Sequence, residues 1–167
     1  MKNITLYISI LIAVTSCSMG KVVSSVQINA IELKHVQPTS PDKVYWDPFG
    51  NGLGDVQIKI KNISTGQIIY TSEVYDDASS KNTYLFMRNM PLLISDLNVG
   101  YRVDVYDYDD LSSDDWMGGF EVRFPDYKDN NEILLKNNTN PTDIKLLVDW
   151  TYMKKKKKTK KLTTEPS

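Results

Sequence analysis

The segment Val56-Gln57-Ile58-Lys59-Ile60-Lys61 alternates apolar and polar residues without a break. A period of two fits a strand with one buried face, and it predicts Val56, Ile58 and Ile60 inward and Gln57, Lys59 and Lys61 toward water. Similar runs recur along the chain: Val26 to Leu33, Gln67 to Thr71, Tyr101 to Asp107, Phe120 to Phe124 and Ile144 to Trp150. Tyr84 to Met87 and Pro91 to Leu97 read as one interrupted strand. Turn-forming clusters separate the runs at Asn62-Ile63-Ser64-Thr65-Gly66 and at Asp76 to Lys81, and a long polar loop covers Asp126 to Asn140. No stretch keeps a helical period over three turns, and there is no internal repeat. The expected class is all-β, a single antiparallel β-sandwich of about eight strands over residues 22–153, with Met117 and Trp150 in its core.

The stretch from Tyr106 to Gly118 reads Y-D-Y-D-D-L-S-S-D-D-W-M-G. The alternation that sends Val103 and Val105 to one face continues through Asp107 toward Asp109, and Leu111-Ser112-Ser113 turns the chain so that Asp115 returns to them. A second acidic loop holds Asp47 and Asp55. Carboxylates gathered without a cation raise one another's pKa and oppose folding, a conflict that a metal removes. Calcium, which takes six to eight hard oxygen ligands, suits aspartate best. The candidate ligands are Asp47, Asp55, Asp107, Asp109 and Asp115.

The two ends differ from the middle. Met1-Lys2-Asn3 precedes an apolar run from Ile4 to Val14 that is short for a membrane span and reads as a secretory signal. Val14-Thr15-Ser16-Cys17 resembles the lipobox of bacterial lipoproteins, which implies cleavage of residues 1–16, acylation of Cys17 and a short tether over 17–21. Ser18 after the cysteine suggests sorting to an outer membrane. Cys17 is the only cysteine, so no intramolecular disulfide can form and stability must come from the core or a metal. Residues 154–167 begin with a lysine block, Lys154 to Lys158 and then Lys160 and Lys161, expected to be a disordered arm attracted to anionic surfaces. The chain has 20 Lys and Arg against 21 Asp and Glu. That near-balance hides an acidic middle and a basic end.

Taken together, Asp107-Tyr108-Asp109, Asp115 and Trp116-Met117-Gly118 resemble the C2 domain, in which a strand ends in Asp-aromatic-Asp and a third Asp follows before an aliphatic residue and Gly. Asp47-Pro48-Phe49-Gly50-Asn51-Gly52-Leu53-Gly54-Asp55, leading into the Val56 strand, is similar to that family's first calcium loop, with a gap two residues longer than is common. The resemblance implies a C2-like sandwich, calcium as cofactor, and docking to phospholipid with apolar loop tips inserting. Phe49 and Leu111 stand at such tips, where simple loop packing is the alternative. The lysine-rich concave strand by which some members hold phosphoinositides is not visible, since Lys59 and Lys61 stand almost alone.

Enzymatic chemistry has little support. The single His35 lies in an early strand-like segment, no thiol remains beyond Cys17, and no serine sits in a nucleophile elbow. The expectation is a non-enzymatic, membrane-anchored envelope protein that binds calcium and docks to anionic phospholipid or an envelope protein, without a nucleic-acid partner. Two alternatives stay open: a metal-independent scaffold, and a calcium-dependent sugar or peptidoglycan binder with an aromatic groove around Trp46 and Trp116.

Overall fold

The computed structural model describes residues 21–37, 39, 45–46, 52–110, 113–136 and 142–154. Among them, nine strands run in chain order: β1 (Lys21–Lys34), β2 (Val56–Asn62), β3 (Ile68–Tyr75), β4 (Thr83–Phe86), β5 (Leu92–Ile94), β6 (Tyr101–Asp107), β7 (Asp115–Val122), β8 (Glu132–Leu135) and β9 (Asp143–Lys154). They form two antiparallel sheets. One has the order β4-β1-β9-β8, with β5 also on β1, and the other the order β3-β2-β6-β7. The interrupted strand is in fact β4 and β5, both paired with β1 and separated by Met87–Pro91.

The core lies between the sheets because each contributes one apolar row. Val56, Ile58 and Ile60 of β2 and Val103 and Val105 of β6 face Ile144, Leu146 and Val148 of β9, and all are buried. On β1 the inward row runs Val26, Ile28 and then Ile31, Leu33, a slip of one residue in parity. The ladder to β9 absorbs it with a register shift between Ile28 and Ala30. An extra residue in one strand is how a sheet keeps its apolar face inward when the sequence changes parity.

The outward row of β2 departs from expectation. Gln57 is buried, and Lys59 and Lys61 are half-buried rather than turned to water. Residues of the neighbouring strand β6 flank them: Tyr106 lies opposite Gln57, Asp104 opposite Lys59 and Arg102 opposite Lys61.

Ring contacts tie the two sheets together at one end. Tyr75, at the end of β3, packs on Tyr84 at 5.1 Å and edge-on against Phe86 at 5.0 Å between ring centres. Since Tyr84 pairs with Leu33 and Val56 pairs with Tyr75 and Asp107, the Lys34 end of β1 lies at the same pole as the start of β2 and the end of β6. We call this pole apical. At the basal pole Tyr101 meets Phe124 at 5.6 Å, where a 3₁₀ turn (Phe124–Tyr127) follows β7. Lys21 and Lys154, the outer ends of β1 and β9, are paired at that basal pole.

Candidate metal-binding pole

The apical pole gathers Asp55, Asp107, Asp109 and Asp115. Asp107 continues the inward row of Val103 and Val105, so strand alternation carries a carboxylate to the edge of the core, where it is buried. Its Oδ1 accepts the Asp55 backbone N–H at 2.6 Å. Across the ladder it pairs with Val56 on one side and Asp115 on the other. Asp55 is held from two directions: its carbonyl accepts the Tyr108 N–H at 2.7 Å, and its Oδ1 accepts the Asp77 N–H at 2.8 Å. The Ala78 N–H donates to Gly54 O at 2.8 Å, which ties the loop after β3 to the start of β2.

The Asp107 carboxyl is pushed up to about 6, chiefly by burial. Within that net shift the Asp55 N–H acts downward, and the negative charges of Asp109, Asp55 and Asp115 act upward with burial. That is the repulsion expected of carboxylates gathered without a cation. The donor set, all carboxylate oxygen with no soft ligand, is chemically right for a hard ion such as calcium. The four aspartates are neighbours rather than a closed cage: among the described residues no group of three or more His, Cys, Asp or Glu comes close enough to hold a metal. Asp47, Phe49, Leu111 and Cys17 lie outside the described residues.

Gly54 makes the close approach possible. A Cβ there would meet Asp107 Oδ1 at 2.8 Å and Trp46 Cβ at 3.2 Å. Gly54→Ala should therefore cost about 1–2 kcal/mol, within the usual range for overpacking. The check is the urea midpoint, and an unchanged midpoint would mean that the Asp107 carboxylate moves aside freely.

Two features were not foreseen from the sequence. Asp77, placed by a left-handed backbone at φ 52°, caps Asp55 from a loop that had read only as a break. Asp104 lies buried on the outward face of β6. It accepts hydrogen bonds from Arg102 Nε at 2.7 Å and Trp116 Nε1 at 3.0 Å, and pairs with Lys61 at 3.3 Å. Lys61 also contacts the Tyr106 hydroxyl, Lys59 pairs with Asp114, and Arg102 lies over the Trp116 ring at 5.1 Å. The clue was present in the alternation itself, which sends Asp104 to the same face as Lys59 and Lys61 of the adjacent strand. The two lysines are thus engaged by an acid of β6 and one in the loop before β7. Of the two indoles named for an aromatic groove, Trp116 donates its N–H to Asp104 and Trp46 to the Gln37 carbonyl at 2.8 Å.

No protein-family model and no curated protein matches the chain. Solved structures do match in fold. A structure of extended-synaptotagmin 2 comprising two of its C2 domains aligns over 90% of this chain and 49% of that one, with a TM-score of 0.51 and 16% identity. Human GIVD cytosolic phospholipase A2, in complex with methyl gamma-linolenyl fluorophosphonate, aligns over 79% of this chain with a TM-score of 0.52 and 12% identity. This chain spans only 18% of that phospholipase chain. A structure described as a C2 domain aligns over 76% of this chain at 9% identity, with a TM-score of 0.46.

The fold is C2-like. In this C2-like sandwich Asp107 at the end of β6, Asp115 at the start of β7 and Asp55 just before β2 lie at one pole. Met117 is in the C2-like core, and Trp150 is partly buried against it.

Proposed function

We propose that the chain is a lipid-anchored envelope protein whose C2-like domain binds calcium through its apical aspartates and thereby docks to membrane phospholipid or a partner protein. The observation that carries this reading is Asp107, a carboxylate buried at the edge of the core and crowded by Asp55, Asp109 and Asp115. Asp55, Asp107, Asp109 and Asp115, with Asp47, would hold the ion, which would cancel their repulsion and leave a cationic face for phosphate. Phe49 and Leu111 would enter the lipid, and Cys17 would carry the acyl chains. No catalytic role is proposed for any residue.

The test is thermal unfolding of the chain from Ser18 onward, first in excess EGTA and then across a calcium titration. An affinity of roughly 10⁻⁴–10⁻³ M, typical of extracellular modules, would suffice. At tenfold excess over Kd the folded state should gain about 1.4 kcal/mol. The gain should vanish in Asp107→Asn/Asp109→Asn. A midpoint indifferent to calcium would leave the metal-independent scaffold as the better reading. Acylation is checked separately, by the intact mass of the membrane-extracted protein and of Cys17→Ser, which should lose the added lipid.

A further inference from the structure

The strand register sets the two functional ends of the molecule against each other. β1 begins and β9 ends at the basal pole, where Lys21 pairs with Lys154 and Val22 with Met153. The apical aspartates stand at the opposite pole, where β1 ends and β9 begins, on the strand ends and loops of the other sheet. β1 has 14 residues, which at strand rise spans about 40 Å. Between Cys17 and Lys21 there are four steps of chain, which reach about 14 Å when fully extended. A tether of that length cannot let a sandwich of that length turn over.

The basal pole also has the chemistry of a headgroup surface. Val22 and Met153 are exposed large apolar residues beside Lys21 and Lys154. Lys21, Val22, Val23, Leu97, Asn98, Pro125 and Lys128 line a shallow cavity of about 320 Å³. Arg123 is exposed at the same end. Of the acids there, Asp96 accepts the Asn98 N–H and Asp129 the Tyr152 hydroxyl, while Asp126 and Glu121 are exposed. In the sequence, six further lysines, Lys155 to Lys158, Lys160 and Lys161, follow directly on Lys154.

We infer that the basal pole is seated on the anionic phospholipid of the bilayer that anchors Cys17, so that the aspartate pole is presented away from that bilayer and engages only what approaches from the opposite side. The inference rests on acylation of Cys17, and it narrows the proposed docking from either membrane face to the far one. Basic residues and exposed apolar side chains beside an acyl anchor supply the second signal that stable attachment needs. A short tether then fixes which pole faces the lipid.

The full chain, acylated in a bacterial host and confirmed by intact mass, would be reconstituted in phosphatidylcholine vesicles containing phosphatidylglycerol. Cys17 is the only native cysteine and its thiol is consumed by the lipid, so a second cysteine labels uniquely. Asn98→Cys places a fluorophore at the basal pole and Ser113→Cys at the apical pole, both at positions open to solvent. With nitroxide lipid in the anchoring vesicles, the Asn98→Cys label should lose at least half its fluorescence and the Ser113→Cys label almost none, with or without calcium. With nitroxide instead in a second, protein-free phosphatidylglycerol vesicle, 1 mM calcium should quench the apical label alone.

Apical quenching from the anchoring bilayer, or equal quenching of both labels, overturns the inference, as does a basal label that its own bilayer leaves untouched. If the orientation holds and only the calcium step fails, it is the proposed calcium docking that has failed. Absence of acylation in the mass spectrum removes the anchor and the inference with it.

Discussion

Asp104→Ala is expected to destabilise the domain by about 3–5 kcal/mol, the usual cost of removing one partner from a buried charge network. Asp104 is almost wholly inaccessible, and three groups converge on it: Arg102 Nε, Trp116 Nε1 and the Lys61 ammonium. Alanine leaves two cations facing each other and an indole N–H without its acceptor. Arg102 and Lys61 are themselves partly exposed and can swing toward water, which holds the loss near the lower end of that range. The facing strand is shaped around this side chain. A Cβ at Gly119 would strike Asp104 Oδ1 and would approach the Val103 carbonyl to 2.8 Å, so glycine leaves the space empty. Urea unfolding of Asp104→Ala and Asp104→Asn checks the account. Asparagine keeps an acceptor for one donor and should cost less than alanine, with the denaturant slope unchanged in both. A loss under about 1 kcal/mol for alanine would mean that the network is solvated and carries little of the sheet's stability.

The second large effect should have opposite signs in two buffers. Without calcium, Asp107→Asn should stabilise the domain at pH 8, by up to about 3 kcal/mol at 1.36 kcal/mol per pKa unit. The sign follows from the shift. The folded-state pKa of about 6 lies above the ordinary 3.8, so between those values the native state holds a proton that the unfolded chain has released. Stability from this group therefore falls as pH rises from about 4 to about 6, and the full penalty persists above that. Asparagine keeps the oxygen that accepts the Asp55 N–H, and it removes the buried charge. With saturating calcium the order should reverse, because the wild-type carboxylate gains an ion that the amide cannot replace. The measurement is unfolding free energy against pH from 4 to 8, with EGTA and with calcium. A wild-type curve in EGTA that is flat through this window would show that Asp107 is better solvated than its burial indicates.

Period-two alternation made most of the sandwich legible, because a residue's parity along a strand fixes which sheet face it joins. Val56, Ile58, Ile60, Val103 and Val105 all lie where that rule puts them. The same rule carried Asp107 to the core edge, and a register shift in the β6–β7 ladder sets Asp115 opposite it. It failed on the outer face of β2, since alternation says that Gln57, Lys59 and Lys61 leave the core but not what covers them. Cover depends on which strand lies alongside, and β2 and β6 are far apart in the chain. Asp104 was missed for the same reason, as its burial comes from Arg102, Lys61 and Trp116 on three different strands. Asp77 was hidden in a turn whose backbone geometry no local pattern announces. Asp47, Phe49 and Leu111 fall outside the described residues, so the first loop rests on the motif alone.

The longest ladder among the described residues joins β1 to β9. Every inward residue of β1 from Val26 to Leu33 pairs with a residue of β9. Until β9 is available, β1 has only the short strands β4 and β5 as neighbours, and its apolar row has no completed sheet to join. A native state dominated by such distant pairings is reached slowly, in milliseconds to seconds for all-β domains. During synthesis the nascent chain would thus remain open until β9 has emerged. An extended polypeptide is also the form that can be threaded across a membrane, so an architecture that delays its own closure suits the proposed export.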